Sequence, residues 1–249
     1  MKAMIFAAGL GTRLRPLTET KPKALVEVIG RPMLGRVIEN LRVSGVDTIV
    51  VNVHHFADMV RDYLTTNDFG VKIIISDESD LLLDTGGGIL AARRWLDTGD
   101  DEPFIVHNAD ILTDLDLADM VNRHRQSAAA ATLLVSKRST SRYLLFNDND
   151  RMEGWENVKS GEIMPPSLNI SCLRPLAFGG VHVISPSIFD RLEHYKSTHG
   201  EVFSIIPFYA KACHELIIKG YTPAAGIQWF DIGSLSKLAD AERNFEERE

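Results

Sequence analysis

The chain begins MKAMIFAAGLGTRLRPLTETKPK, residues 1–23, and this stretch decides the fold. Its apolar run from Ala3 to Ala8 is typical of a buried parallel strand, and a loop with Gly9 and Gly11 follows at once. Glycines let the backbone approach an anion, and the guanidinium of Arg13 can bind a phosphate through two hydrogen bonds. The loop is therefore a candidate polyphosphate site, although an ordinary loop with surface basic residues would have the same composition.

Strand and helix patterns alternate after this loop. We predict a helix beginning at Pro32, a strand from Thr48 to Val53, a helix from Phe56 to Leu64 and a strand from Val71 to Ser76. Such alternation implies right-handed crossovers and a largely parallel sheet with helices on both faces. We therefore expect an α/β protein with a three-layer α/β/α arrangement.

Charge and hydropathy exclude two classes of partner. The formal net charge of -7 argues against a general nucleic-acid binder, because affinity for a phosphate backbone comes mainly from clustered Lys and Arg. The local basic residues of the opening loop suit a small anionic ligand instead. No apolar run approaches the length that spans a bilayer, so we expect a cytoplasmic protein without a membrane partner.

The opening stretch does not match the two commonest phosphate-binding motifs. The Walker motif needs Gly-Lys-Ser/Thr, and the dinucleotide fingerprint needs a third glycine. The stretch instead resembles the sugar-1-phosphate nucleotidylyltransferases, whose pattern is A-A-G-x-G-T/S-R-x-x-P-x-T followed by K-P-K. The matching residues are Ala7, Ala8, Gly9, Gly11, Thr12, Arg13, Pro16, Thr18, Lys21, Pro22 and Lys23. Of these, the resemblance implies nucleotide binding by Ala7, Ala8, Gly9, Gly11, Thr12, Arg13 and Lys23.

A second glycine cluster, DTGGGILAARRW at residues 84–95, precedes an apolar helical pattern. Glycines at a helix N-terminus leave room for a flat base or ribose against the backbone, and a flexible surface turn is the alternative. The cluster is similar to the E-T-G-G-G element of the family, which contacts the base. The resemblance implies base contacts from Gly86 and Gly87, and it favours the N-acetylmuramate-1-phosphate uridylyltransferase branch.

Two aspartates follow predicted strands. Asp110 lies just beyond the strand at 104–107, where open α/β sheets bind ligands, and Asp231 lies between an apolar segment and a helix. Taken alone, each could be a helix cap or a turn former. Asn108 and Asp110 match the family's N-G-D element with Ala109 in place of glycine, and WFDIGS at 229–234 resembles its W-x-D-I/V-G-T/S element. The resemblance implies that Asp110 and Asp231 bind Mg²⁺ and that Asn108 contacts the nucleotide.

The sugar-binding residues are expected in the second half of the chain. The strand at 176–184 resembles the family's (A/T)-F-x-G-(I/V/L) strand, which makes Gly179 and Gly180 candidates for contact with the sugar. Glu201 matches an acidic residue that meets sugar hydroxyls, and a carboxylate favouring a helix N-terminus is the alternative. The family's Glu-Lys-Pro segment, whose lysine contacts the sugar phosphate, cannot be placed here; Lys159 is the nearest lysine.

The resemblance runs from residue 1 to about 240 and implies one domain over residues 1–249 with a Rossmann-like, mostly parallel mixed sheet. Residues 1–135 would form the nucleotide-binding part, residues 136–230 a small antiparallel sugar-binding part that includes a hairpin, and residues 231–249 the C-terminal helix. The sequence indicates no particular oligomeric state.

The implied reaction joins a sugar 1-phosphate to a nucleoside triphosphate and releases pyrophosphate. Arg13, Lys23, Asp110 and Asp231 would be the catalytic residues, and Mg²⁺ the cofactor. UTP with N-acetylmuramate 1-phosphate is the preferred substrate pair. The alternatives are mannose 1-phosphate with GTP, glucose 1-phosphate with dTTP, phosphocholine with CTP, and a non-catalytic protein that binds sugar nucleotides and regulates a partner.

Overall fold

The computed structural model describes residues 1–245. Its strands are β1 (Lys2–Phe6), β2 (Glu27–Val28), β3 (Arg31–Pro32), β4 (Thr48–Val53), β5 (Lys72–Asp77), β6 (Phe104–Asn108), β7 (Ile111–Thr113), β8 (Ala131–Ser136), β9 (Arg142–Phe146), β10 (Met152–Asn157), β11 (Glu162–Met164), β12 (Arg174–Ile184), β13 (Ile218–Tyr221) and β14 (Trp229–Asp231). Its helices are α1 (Met33–Val43), α2 (Ala57–Thr66), α3 (Asp84–Ala91), α4 (Arg93–Leu96), α5 (Leu117–Arg125), α6 (Phe189–His199), α7 (Ile205–Ala212) and α8 (Leu235–Asn244).

A mixed sheet, ten-stranded within residues 1–245, organises the fold. Its main path runs β11-β10-β9-β12-β6-β1-β4-β5, with β8 paired to β12 and β13 paired to β8. The section β6-β1-β4-β5 is parallel, as the strand-helix alternation predicts. The strand β12 then runs antiparallel to β6 and leads into the antiparallel strands β9, β10 and β11. The predicted hairpin is thus part of an extension of the same sheet.

Helices cover both faces of the sheet because its strands are apolar on both sides. Met4 and Val50 belong to one buried cluster, whereas their neighbours Ile5 and Val51 belong to a second cluster. Successive strand residues point to opposite faces, so the two clusters are the two interior layers of an α/β/α sandwich. The predicted fold class is confirmed.

A smaller apolar cluster joins distant parts of the chain at one edge of the molecule. Leu14 of the opening loop, Met33 of α1, Leu112 of β7 and Leu238 of α8 pack in it. The two-stranded sheet of β14 and β7 lies beside this cluster and aligns Asp231 with Ile111. This packing returns the end of the described chain to its beginning, and it brings Asp231 next to the residue that follows Asp110.

Most predicted boundaries agree with the structure, and two do not. Pro32 caps α1, β4 spans the predicted residues, and Ser234 caps α8 by accepting a hydrogen bond from the Lys237 backbone. The second glycine cluster, in contrast, lies inside α3 rather than ahead of a helix. The predicted C-terminal helix at 231–249 begins later, because Asp231 is the last residue of β14 and α8 spans Leu235–Asn244. Residues 246–249 of that prediction lie outside the described part of the chain. Among residues 1–245, no helix is both long and apolar enough to cross a bilayer.

Candidate active site

A cleft of about 370 Å³ opens at the carboxyl ends of the parallel strands. The last residues of β1 and β6, Phe6 and Asn108, line it together with Asn52 near the end of β4. This is the position at which open α/β sheets bind ligands. Its lining residues are Phe6, Ala7, Ala8, Gly9, Lys23, Ala24, Asn52, Leu82, Asp84, Thr85, Asn108, Ala109, Asp110 and Val202.

The two glycines of the opening loop have different structural roles. Gly11 has a φ of 65°, and a Cβ there would lie 2.9 Å from Thr18 Cγ2 and 3.0 Å from Lys23 Cβ. The Thr18 hydroxyl donates to the Gly11 carbonyl over 2.8 Å. Gly9, in contrast, has open space around its missing side chain. Gly11 therefore maintains the fold of the loop, while Gly9 leaves the floor of the cleft clear.

A buried network that the sequence analysis missed connects this loop to the region before α3. Asn52 accepts a hydrogen bond from the Ala7 amide over 2.8 Å and donates to Glu78 Oε1 over 2.8 Å. The other oxygen of Glu78 accepts from the Leu83 amide over 3.1 Å. Burial raises the pKa of Glu78, and these hydrogen bonds oppose that rise. The sequence did contain a sign of this role, because Asn52 is a polar residue within the otherwise apolar strand β4.

The network corrects one detail of the predicted phosphate cradle. Ala7 and Ala8 line the cleft, but the Ala7 amide is already bonded to Asn52 and is not free to bind an anion. Gly11, Thr12 and Arg13 lie beyond the cleft lining in the described structure. Arg13 is exposed, and its guanidinium lies near Gly233, in the segment that follows β14.

The two predicted metal ligands are adjacent. The Ile232 amide donates to the Asp110 carbonyl oxygen over 2.8 Å, and Asp231 pairs with Ile111 across β14 and β7. Lys23 forms an ion pair with Asp110, and Lys237 forms one with Asp231. Arg13 Nη2 lies 3.3 Å from the position that a Cβ on Gly233 would occupy. Lys237 was not predicted, although it lies in the first turn of α8, six residues after Asp231.

These side chains suit a divalent cation that substrate phosphates help to coordinate. Two carboxylates supply the oxygen ligands that Mg²⁺ prefers, and Mg²⁺ commonly takes its other ligands from phosphate and water. In the described part of the chain, no set of three or more His, Cys, Asp or Glu residues is arranged to hold a metal by itself. Each carboxylate is balanced by a lysine, which could move to a phosphate when a cation binds.

Gly86 and Gly87 do not form the predicted open platform. Both amides donate to the Phe203 carbonyl, over 2.8 and 3.2 Å, and neither residue lines the cleft in the described structure. A Cβ on Gly86 would lie 2.3 Å from the Phe203 ring, and a Cβ on Gly87 2.3 Å from the Glu201 carbonyl oxygen. The glycines therefore let α3 pack against residues 201–203. Asp84 and Thr85 are the residues of this element that face the cleft.

A second cavity of about 570 Å³ adjoins the cleft through Asp84, which lines both. It lies against the antiparallel extension, the part of the chain for which sugar binding is predicted. Its lining residues are Asp84, Arg138, Thr140, Arg142, Leu144, Trp155, Asn157, Glu162, Met164, Phe178, Ser204, Ile206, Pro207 and Ala210.

The three residues predicted to contact the sugar, Gly179, Gly180 and Glu201, lie outside the lining of both cavities in the described structure, and their contact with a sugar stays a prediction. Gly179 and Gly180 are buried, and Phe178 faces the second cavity instead. A Cβ on Gly179 would meet Leu134 at 2.6 Å, so this glycine serves packing. Glu201 is exposed, and its carbonyl covers Gly87. Gly180, with a φ of 77°, lies at an irregularity in the pairing of β12 with β8.

Known proteins resemble this chain over nearly all of its length. The nucleotidyl transferase family matches residues 2–248. The N-acetylmuramate alpha-1-phosphate uridylyltransferase of Neisseria meningitidis serogroup B is 31% identical over 243 residues, which cover 97% of this chain and 97% of that protein. The protein of the same name from Caulobacter vibrioides is 33% identical over 252 residues, covering 95% of this chain and 94% of that protein.

A solved structure shows the same fold. The complex of UDP-glucose pyrophosphorylase with UDP-glucose superposes with a TM-score of 0.77 at 17% identity, covering 97% of each chain. At that identity the similarity concerns the fold alone. Because the family match and the two relatives each extend over almost the whole sequence, the chain belongs to the nucleotidyl transferase family, and the relatives that show this are sugar-1-phosphate nucleotidyltransferases.

Proposed function

We propose that this protein transfers a uridylyl group from UTP to N-acetylmuramate 1-phosphate, giving the UDP-sugar and pyrophosphate. The observation that carries the reaction is the pairing of β14 with β7, which brings the segment of Asp231 beside that of Asp110, a residue that lines the cleft. The choice of substrates is supported by the names of the two relatives at 31% and 33% identity.

The reaction needs no general base. An oxygen of the sugar 1-phosphate, already an anion, forms a bond to the α-phosphorus, while the bond between that phosphorus and the bridging oxygen of the β-phosphate breaks. Pyrophosphate leaves with the electron pair. Repulsion between two anions opposes the approach, so catalysis consists of holding both phosphates in line and neutralising their charge.

Four side chains would perform this task. Lys23 would move from Asp110 to the α-phosphate or the attacking phosphate, and Arg13 would bind the leaving pyrophosphate through its planar fork. Asp110 and Asp231 would hold Mg²⁺, which supplies charge neutralisation at the phosphates. Lys237 would balance Asp231 whenever the cation is absent.

Asp84 and Thr85 would position the nucleotide, since they face the cleft beside Gly9. Asn52 and Glu78 would keep the base side of the cleft aligned with the opening loop, because they connect Ala7 to Leu83 through a continuous set of hydrogen bonds. The second cavity would take the sugar.

Pyrophosphate release tests the proposal. Purified protein with Mg²⁺ is mixed with each nucleoside triphosphate and a panel containing N-acetylmuramate, mannose and glucose 1-phosphates and phosphocholine. We expect the fastest release with UTP and N-acetylmuramate 1-phosphate. Faster release with another pair would reassign the substrates. Binding of sugar nucleotides without release from any pair would identify a regulatory protein and contradict the proposal.

A further inference from the structure

The guanidinium of Arg138 is fixed in place but its charge is not balanced by a carboxylate. Arg138 lies two residues after β8, and its Nη2 donates to the Phe178 carbonyl over 2.6 Å. Its Cζ lies 4.5 Å from the centroid of the Trp229 ring. Trp229 is itself held by a 2.9 Å hydrogen bond from its indole to the Gly179 carbonyl. Two rigid neighbours therefore define the orientation of this side chain.

Arg138 has unused hydrogen-bonding capacity. Its Nε is buried without a partner, and across residues 1–245 its guanidinium makes only the hydrogen bond to Phe178 and no ion pair. A guanidinium carries five N–H donors. Burial lowers the pKa of Arg138, and the charges of Asp231 and Tyr143 oppose that lowering without forming an ion pair with it. A half-buried cation without a counter-ion costs free energy unless an anionic ligand satisfies it.

The position of Arg138 identifies that anion. Arg138 lines the sugar-side cavity, which joins the cleft at Asp84, and it also lies over Trp229, the first residue of the short strand β14 that ends at Asp231. An anion bound there would be next to the α-phosphate site on one side and the sugar on the other. Lys159, the nearest lysine to the hairpin, does not line this cavity in the described structure, and Asn157 at the end of β10 lines it with a neutral amide.

We propose that Arg138 binds the 1-phosphate of the sugar substrate and positions it for attack on the nucleotide. This assignment rests on the proposed function. A guanidinium can make two parallel hydrogen bonds to a phosphate, and a fixed one does so with little loss of side-chain entropy. Arg142, the other cation that lines the cavity, is exposed on β9, whereas Arg138 is half-buried.

The test separates the two substrates kinetically. Arg138→Gln, Arg138→Lys and the control Lys159→Gln are compared with the wild type by pyrophosphate release, varying the sugar phosphate and the nucleotide in turn. Thermal unfolding of each variant verifies the fold. We expect Arg138→Gln to raise KM for the sugar phosphate roughly tenfold to a hundredfold, the effect of losing hydrogen bonds to a charged group. KM for the nucleotide should stay within about twofold, Arg138→Lys should be intermediate, and Lys159→Gln should match the wild type.

A binding measurement keeps this inference separate from the proposed function. N-acetylmuramate 1-phosphate and N-acetylmuramate are titrated calorimetrically into the wild type and Arg138→Gln. The wild type should prefer the phosphorylated sugar, and the variant should lose most of that preference. An unchanged preference, or an equal rise in KM for both substrates, overturns the assignment. If the wild type prefers the phosphorylated sugar but releases no pyrophosphate, the proposed function fails while the role of Arg138 is still decided.

Discussion

The backbone amide of Ile232 donates to the carbonyl oxygen of Asp110 over 2.8 Å, and this hydrogen bond joins the two segments that carry the proposed catalytic carboxylates, those of Asp110 and Asp231. The same segments form the paired strands β7 and β14. Two aspartates that are far apart in sequence thereby lie in neighbouring segments, and each forms an ion pair with a lysine.

Replacing Asp110 or Arg13 should abolish most of the activity without unfolding the protein. Asp110→Ala would remove a proposed ligand of the cation, and Arg13→Ala would remove the proposed donor to the leaving pyrophosphate. Each should lower turnover at least about a hundredfold, as loss of a preorganised charge-stabilising group does. Pyrophosphate release measures the rate, and circular dichroism confirms the fold. Asp148→Ala, in an exposed turn, is the control. Near-normal rates in both variants would refute the mechanism.

The two glycines of the opening loop should respond differently to alanine. Gly11→Ala forces a side chain onto a φ of 65° and against Thr18, so it should destabilise the protein by about 1–2 kcal/mol. Gly9→Ala meets no protein atom within 4 Å and should leave stability unchanged while raising KM for the nucleotide. Urea unfolding and initial rates give both quantities. Equal losses of stability in Gly11→Ala and Gly9→Ala would contradict the distinct structural role of Gly11.

The packing role of the second glycine cluster predicts a loss of stability. Gly87→Ala places a Cβ 2.3 Å from the Glu201 carbonyl oxygen, a backbone atom that cannot rotate away. Overpacking of this kind costs about 1–3 kcal/mol. Thermal and urea unfolding should both register the loss, with Gly9→Ala as the reference. If Gly87→Ala unfolded normally and only weakened nucleotide binding, the glycine would act as a platform for the base after all.

Buried histidines should make the protein sensitive to acid. Burial lowers the pKa of His107 and His124 to about 4 and that of His182 to about 3, whereas an unfolded histidine titrates near 6.5. Between pH 6.5 and about 4 the unfolded chain therefore binds more protons than the folded protein, and stability falls as pH falls. Each histidine contributes up to about 1.4 kcal/mol per pH unit in this window.

His124→Gln tests this pH dependence. Both ring nitrogens of His124 lie within hydrogen-bond distance of hydroxyls, those of Thr132 and Ser185, and an amide can serve both without titrating. Between pH 7 and pH 5 the variant should lose about 2 kcal/mol less stability than the wild type. Urea midpoints at the two pH values measure the difference, with the exposed His194→Gln as control. Identical losses in the wild type and His124→Gln would contradict the prediction.

The sequence by itself determined the α/β architecture and the location of the cleft. Strand-helix alternation from β1 to β6 is a local pattern, and local periodicity is visible without coordinates. The opening loop, Asn108 and Asp110 follow strands whose carboxyl ends must meet at one edge, so their proximity could be expected. The family resemblance rested on the same short segments.

Tertiary structure alone decided which residues face the cleft and which support it. Gly86 and Gly87 pack against residues 201–203, Asn52 bonds to Glu78, and Arg138 lies over Trp229. Each of these contacts joins parts of the chain that are distant in sequence. Such contacts depend on how helices and strands pack, and the order of apolar and polar residues along the chain does not encode them. A glycine-rich stretch, for example, can serve either packing or ligand binding, and the sequence alone does not distinguish the two.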